Sequence, residues 1–283
     1  MSTDALKFLS YEHTHGPAFG AVVGDEIVDL SDVGPSLKAV LATGPLDNLK
    51  SVVAKRKPSV RLDHVVLHQV VPDAQRIICV GKNYRDHAIE MGGPPPSDPN
   101  LFIRTPQSLV GHKQSIVCPK VSSQYDYEGE LAVIIGKGGR HIAKDKALSH
   151  VAGYTCFMDG SLRDYQKHSF TAGKNFDSSG ACGPWLVPAT EVPNPQALRL
   201  VTRVNGVVMQ NESTAQMIYT VADIIAYISA FTHLEPGDVI ATGTPAGVAA
   251  GRKPSPWLKP GDKVEVEIEN IGTLANTVIG EAG

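Results

Sequence analysis

Residues 125–136 read YDYEGELAVIIG, and this stretch makes two demands at once. Asp126, Glu128 and Glu130 alternate with Tyr127 and Gly129, so in an extended chain all three carboxylates fall on one face. Leu131 to Ile135 then run apolar without a polar alternation, the pattern of a strand covered on both sides. Acids at the mouth of such a strand repel each other and lose hydration unless a cation neutralises them. A solvated strand end is the commoner reason for acidic alternation. The same chain supplies an example in residues 262–270, DKVEVEIEN, where Val264, Val266 and Ile268 point inward and Glu265, Glu267 and Glu269 outward. If a metal is involved, a purely carboxylate set suits a hard cation, Mg²⁺, Mn²⁺ or Ca²⁺, and not zinc. On Glu128 and Glu130 alone both readings stay open.

A third ligand would have to come from another element. VAGYTCFMDGSLRDYQ, residues 151–166, is an apolar strand that ends on Asp159, followed by Gly160 for a turn and a short polar helix. Asp159 is therefore either the N-cap of that helix or a third carboxylate beside the other two. Upstream, VGKNYRDHAIEMGGPPP spans residues 80–96. Asn83 is placed to cap a two-turn helix that Gly92 ends. His87 and Glu90 are i and i+3 on it, so the carboxylate can orient the imidazole, although an incidental exposed pair has the same spacing.

Composition narrows the function classes. The 283 residues are 42% hydrophobic and 19% charged with a net charge of −3, which supplies no basic patch for nucleic acid or an anionic membrane surface. The five aliphatic residues after Glu130 are the longest such run and fall far short of a bilayer span. The opening MSTDALKFLS has neither a basic nor an apolar leader segment. Four separated cysteines without a C-x-x-C suggest reduced thiols, and hence a cytoplasmic protein. No G-x-S-x-G, H-E-x-x-H, Walker A or G-x-G-x-x-G pattern is present.

Many strands with few, irregularly placed helices predict an α+β fold. Residues 1–72 read as a small module, with a hairpin about Gly24-Asp25 and two short helical segments; residues 73–283 form the larger domain, beginning with the buried strand RIICVG. Asn205-Gly206 predicts a type I′ hairpin, and VADIIAYISAF a helix capped by Thr220 with Asp223 in its first turn.

YEGELAVIIGKGGR, GYTCFMDGSLRDYQ, GKNFDSSGACGPWLV, VNGVVMQNEST and PGDVIATGTPAGV, in that order, closely resemble the fumarylacetoacetate hydrolase family over about residues 73–280. The N-terminal module resembles the leading segment of the family's bacterial acylpyruvate-hydrolase-like members. The resemblance implies a mixed β-roll of layered sheets, usually a homodimer. It implies Mg²⁺ or Mn²⁺ (Ca²⁺ in a crystal) on Glu128, Glu130 and Asp159, with Lys174 and Gln166 as catalytic groups and Thr244 in the TGTP turn at the substrate. His87 and Glu90 match the H-x-x-E dyad of the acylpyruvase-like branch, on a lid segment for which Gly92-Gly93 would be the hinge. Asp126 matches no ligand position and is left as a solvated acid or one standing behind the ligands.

The expected substrate is a small 2,4-dioxo acid, an acylpyruvate, cleaved to pyruvate and a carboxylic acid. Glu90 would orient His87, which would deprotonate a water, while Lys174 faces the developing oxyanion and Gln166 positions water or substrate. Oxaloacetate decarboxylation, isomerisation of a hydroxy-dienedioate and a catalytically weak metal-binding protein are the alternatives. Arg104 is expected either to meet a second substrate carboxylate or to be a structural arginine.

Overall fold

Leu131, Val133 and Ile135 point into one apolar core, and Ala132 and Ile134 into another. That division places the strand Gly129–Ile135 at the middle of a layered molecule, every residue of it buried. The structure, a computed structural model, describes residues 5–14 and 16–282. Residues 1–4 of the MSTDALKFLS segment, His15 and Gly283 lie outside that description.

The central strand pairs antiparallel with Val151–Met158 on one side and with Val239–Ala241 on the other. It belongs to a 12-stranded mixed sheet, in which Val239–Ala241 in turn runs parallel to Ile77–Gly81. One face of this sheet meets a five-stranded sheet that contains Arg199–Val204, Val207–Ser213, Lys263–Ile268 and Gly272–Gly280. Leu200, Val264, Val266, Ile268 and Leu274 fill the space between, with the helix Val221–Phe231 contributing Ile224, Ile225 and Ile228. The opposite face carries the N-terminal segment, where Leu37, Val40 and Leu41 cover Ala132, Ile134 and Phe157.

The local expectations hold where they rest on short-range chemistry. Asn205 and Gly206 both have positive φ, 52° and 79°, as a type I′ turn requires. Thr220 and Asp223 form a reciprocal capping box at the start of helix 221–231. Asn83 does not cap its helix. Arg85–Glu90 starts from Tyr84 without a side-chain cap, and the Asn83 amide instead donates to the carbonyls of Tyr219 and Thr242.

The N-terminal module is also continuous with the rest. Lys7–His13 pairs with Gly180–Pro188 at Phe8↔Leu186, so the strands Lys7–His13, Gly16–Val23 and Glu26–Asp29 extend the large sheet. Hydrogen bonding thus crosses the point near residue 73 where the composition changes.

Candidate active site and metal centre

At its N-terminal end the central strand delivers Glu128 and Glu130 to one face, and the residue between them has to be glycine. A Cβ on Gly129 would lie 2.1 Å from Thr202 Oγ1 and 3.2 Å from Val266, because the two sheets meet there. The antiparallel neighbour ends opposite: Gly129 pairs with Met158, and the Asp159 amide donates to the Glu128 carbonyl at 2.8 Å. Carboxylate oxygens of Glu128, Glu130 and Asp159 consequently lie within 4.8 Å of one another, all three residues buried. Asp159 caps no helix; the one that follows begins from Leu162.

Cations come to the acids from elsewhere in the chain. Lys174 Nζ bridges Glu128 and Asp159, and the Arg163 guanidinium reaches Glu128 Oε1 at 2.5 Å and Asp126 Oδ2 at 2.8 Å. Burial alone would push the Glu128 carboxyl up, but the Arg163 and Lys174 charges outweigh it and hold the group well below the usual carboxylate range. Lys174 is raised for the matching reason, the Asp159 and Glu128 charges overcoming its desolvation.

Glu130 is different. Among the described residues its carboxylate has one hydrogen-bond partner, the Gly243 amide at 2.8 Å. Burial, joined by the charges of Asp159 and Glu128, pushes it well above the ordinary value. A buried carboxylate between two others with a single neutral donor is short of positive charge. A divalent cation held by the three oxygens supplies it, so the residues present fit a hard metal ion.

Above the carboxylates stands His87, 3% exposed. Its Nδ1 is 3.2 Å from Glu90 Oε2 and its Nε2 4.0 Å from Glu128 Oε1. With Nδ1–H given to Glu90, Nε2 keeps a lone pair facing the cavity. Glu90 is held in turn by the Gly247 amide, at 3.0 and 3.2 Å to its two oxygens. His87, Glu128, Glu130, Asp159, Lys174 and Gln166 all line one cavity of about 450 Å³. The Gln166 Oε1 accepts from Arg163, while its Nε2 is a buried donor with no partner in the protein, suited to a ligand oxygen.

The structure narrows three expected roles. Arg104 is the structural arginine and does not line the cavity. It is 1% exposed and all five of its N–H donors are used internally, on Asp159, Gly160, Ser108 and Ser179. Its effect on the site is to fix Asp159. Asp126 is not solvated. Fully buried, it accepts from Arg163 and from the amides of Tyr127, Ala249 and Ala250, and so ties the central strand's entrance to the 249–251 turn. Thr244 lines the cavity, but its hydroxyl is committed to the Gly129 carbonyl at 2.9 Å and accepts from Gln210.

Sequence reasoning missed Arg163. Three buried acids imply a compensating cation, and the arginine four residues after Asp159 lies inside a stretch already singled out, but side-chain reach is not legible from spacing.

A layered β fold with a buried three-carboxylate centre and an adjoining His-Glu pair defines a class, mixed-sheet proteins whose buried acids can hold a divalent cation. The comparisons with known proteins give the family. Residues 76–279 match the fumarylacetoacetate (FAA) hydrolase C-terminal domain, and the chain belongs to the fumarylacetoacetate hydrolase family. It is 44% identical over 223 residues to oxaloacetate tautomerase YisK of Bacillus subtilis (strain 168), covering 77% of this chain and 74% of that protein. The solved structure of fumarylacetoacetate hydrolase (EaFAH) from psychrophilic Exiguobacterium antarcticum superposes with a TM-score of 0.83 at 36% identity, over 98% of this chain and 100% of that one. The maleylpyruvate hydrolase of Sphingobium sp. SYK-6, in complex with manganese(II) ion and pyruvate, gives a TM-score of 0.83 at 27% identity, over 98% and 100% of the two chains. Among the described residues no helix is long and apolar enough to cross a membrane.

Proposed function

We propose that this protein is a tautomerase of a small 2-oxo dicarboxylate, oxaloacetate, working with Mg²⁺ or Mn²⁺ on Glu128, Glu130 and Asp159. The observation that carries the reading is the His87–Glu90 pair, which presents a free Nε2 to the cavity beside the carboxylate centre. Enol–keto exchange needs one base that moves a proton between carbon and oxygen, and no attacking water. When bound, a divalent cation supplies Lewis acidity to the 2-oxo acid and makes the neighbouring C–H more acidic. His87 Nε2 takes the C3 proton and returns it to the 2-oxygen, or the reverse, while Glu90 keeps the ring in the required tautomer. The unpartnered Gln166 Nε2–H donates to a substrate oxygen. The name of the Bacillus subtilis relative supports the same reading.

The test follows decay of the enol absorbance of freshly dissolved oxaloacetate. Catalysis is expected with Mg²⁺ or Mn²⁺ and not after chelation. His87→Ala should slow it by about 10²–10⁴-fold with metal affinity unchanged. Full activity in metal-stripped protein would refute the scheme.

C–C hydrolysis of an acylpyruvate is a second reading, supported by the likeness to the maleylpyruvate hydrolase that holds manganese and pyruvate. In it His87 activates a water and Lys174 faces the oxyanion. Stoichiometric pyruvate release from an acylpyruvate, with no effect on the oxaloacetate enol, would put this reading first.

A further inference from the structure

Every cation at the floor of the cavity is already spoken for: Lys174 by Glu128 and Asp159, Arg163 by Asp126, Glu128 and Gln166. Lys82 is not. It lines the same cavity and is partly buried, and among the described residues no acidic side chain pairs with it. Its position in the chain is tightly set. Lys82 directly follows the strand Ile77–Gly81 and precedes Asn83, whose side-chain amide is bonded to the carbonyls of Tyr219 and Thr242 at 2.9 and 2.7 Å. Gly243, the next residue after Thr242, donates to Glu130. The backbone that carries Lys82 is therefore hitched to the turn that holds one of the three carboxylates.

That backbone is also unusual. Lys82 sits at φ 55°, in the left-handed region that a residue with a long side chain seldom adopts. Its side chain is sent toward the loop that ends the His87 helix, where a Cβ on Gly93 would be 3.7 Å from Lys82 Nζ. An unpaired ammonium, partly removed from water and set at the wall of a cavity whose floor holds an acidic centre, is a receptor for an anion. The floor has its own use for one end of a 2-oxo acid. A second anionic group on the same molecule would be met at the wall.

Building on the tautomerase reading, we infer that Lys82 receives the distal carboxylate of a dicarboxylic 2-oxo acid and sets the preference for dicarboxylates over 2-oxo acids with an uncharged tail. Lys167 is the competing candidate, because it also lines the cavity and has no ion-pair partner among the described residues. It is exposed and on ordinary right-handed backbone at the end of the helix Arg163–Gln166, so it lacks both features that single out Lys82.

The test compares wild type, Lys82→Met, Lys82→Arg and Lys167→Met on two enols, oxaloacetate and phenylpyruvate, with Mg²⁺. Lys82→Met is expected to raise KM for oxaloacetate about tenfold or more with kcat within about threefold, and to leave KM for phenylpyruvate unchanged. Lys82→Arg should restore most of the difference. Equal effects on both enols, no effect on either, or a selective loss in Lys167→Met alone would overturn the assignment. A calorimetric measurement keeps it separate from the tautomerase reading. In the presence of Mg²⁺, Lys82→Met should weaken 3,3-difluoro-oxaloacetate, which cannot enolise, about tenfold and leave oxalate unaffected. If wild type fails to accelerate either enol, the tautomerase reading falls. The calorimetry then decides Lys82 alone: a selective loss supports it, and an unselective or absent one refutes it.

Discussion

Glu130 and Arg104 show how unequally the buried charges of this site are supported. Glu130 has one neutral donor and two carboxylate neighbours, and its carboxyl is raised by burial and by Asp159 and Glu128. Replacing it with a neutral isostere removes a charge that the metal-free protein has to desolvate without compensation. Glu130→Gln is therefore expected to melt at or above the wild-type temperature without metal, by about 2–4 °C for each kcal/mol gained, and to lose the rise in Tm that Mg²⁺ gives wild type. A thermal shift titration with and without Mg²⁺ checks both parts. Arg104 is the opposite case, buried with every donor satisfied. Arg104→Met strips Asp159 of its bond at 2.6 Å and should cost about 3–5 kcal/mol in chemical denaturation.

Among the elements, the helix Arg85–Glu90 is the one whose placement decides chemistry. It is two turns at most, has no side-chain cap, and exposes Ile89 to 61%, so its own propensity contributes little. What seats it is Glu90, held by the Gly247 amide and packed on Gly251. A Cβ at Gly251 would come within 2.2 Å of the Glu90 carboxyl. Gly251→Ala is predicted to push Glu90 off His87 and lower kcat by about tenfold or more while sparing metal affinity, which calorimetry with Mn²⁺ would show. An effect on metal affinity equal to that on kcat would mean that the turn supports the carboxylates and not the dyad. The element was legible in the sequence because His87 and Glu90 share a helical face. Its fastening was not, since Glu90 and Gly247 are 157 residues apart.

At the scale of the whole molecule, the sheets are joined by contacts that also make its stability depend on pH. His112 Nδ1 accepts from the Ala275 amide on the strand Gly272–Gly280, and burial, with the Lys113 charge adding to it, pulls the imidazole from 6.5 down to about 4. Between those two values the unfolded chain binds a proton that the folded one does not. Stability is thus complete above about pH 6.5, falls as the pH drops toward 4, and loses no more from this group below that. His112→Asn is expected to flatten that part of a Tm–pH profile; an unchanged slope would assign the loss to other groups.

The sequence by itself determined what depends on near neighbours and on alternation. It set the two-faced burial of Leu131–Ile135, the turn at Asn205-Gly206, the capping box at Thr220, and the pairing of Glu128 with Glu130 on one strand face. Each of these follows from backbone geometry over a few residues. Only the tertiary structure decided which charges meet. Lys174 on Glu128, Arg104 on Asp159, Arg163 on Asp126 and Gly247 on Glu90 join positions 37 to 157 residues apart. A buried ion takes whichever partner the packing of the sheets brings within reach, and that is fixed by the fold and not by the spacing along the chain.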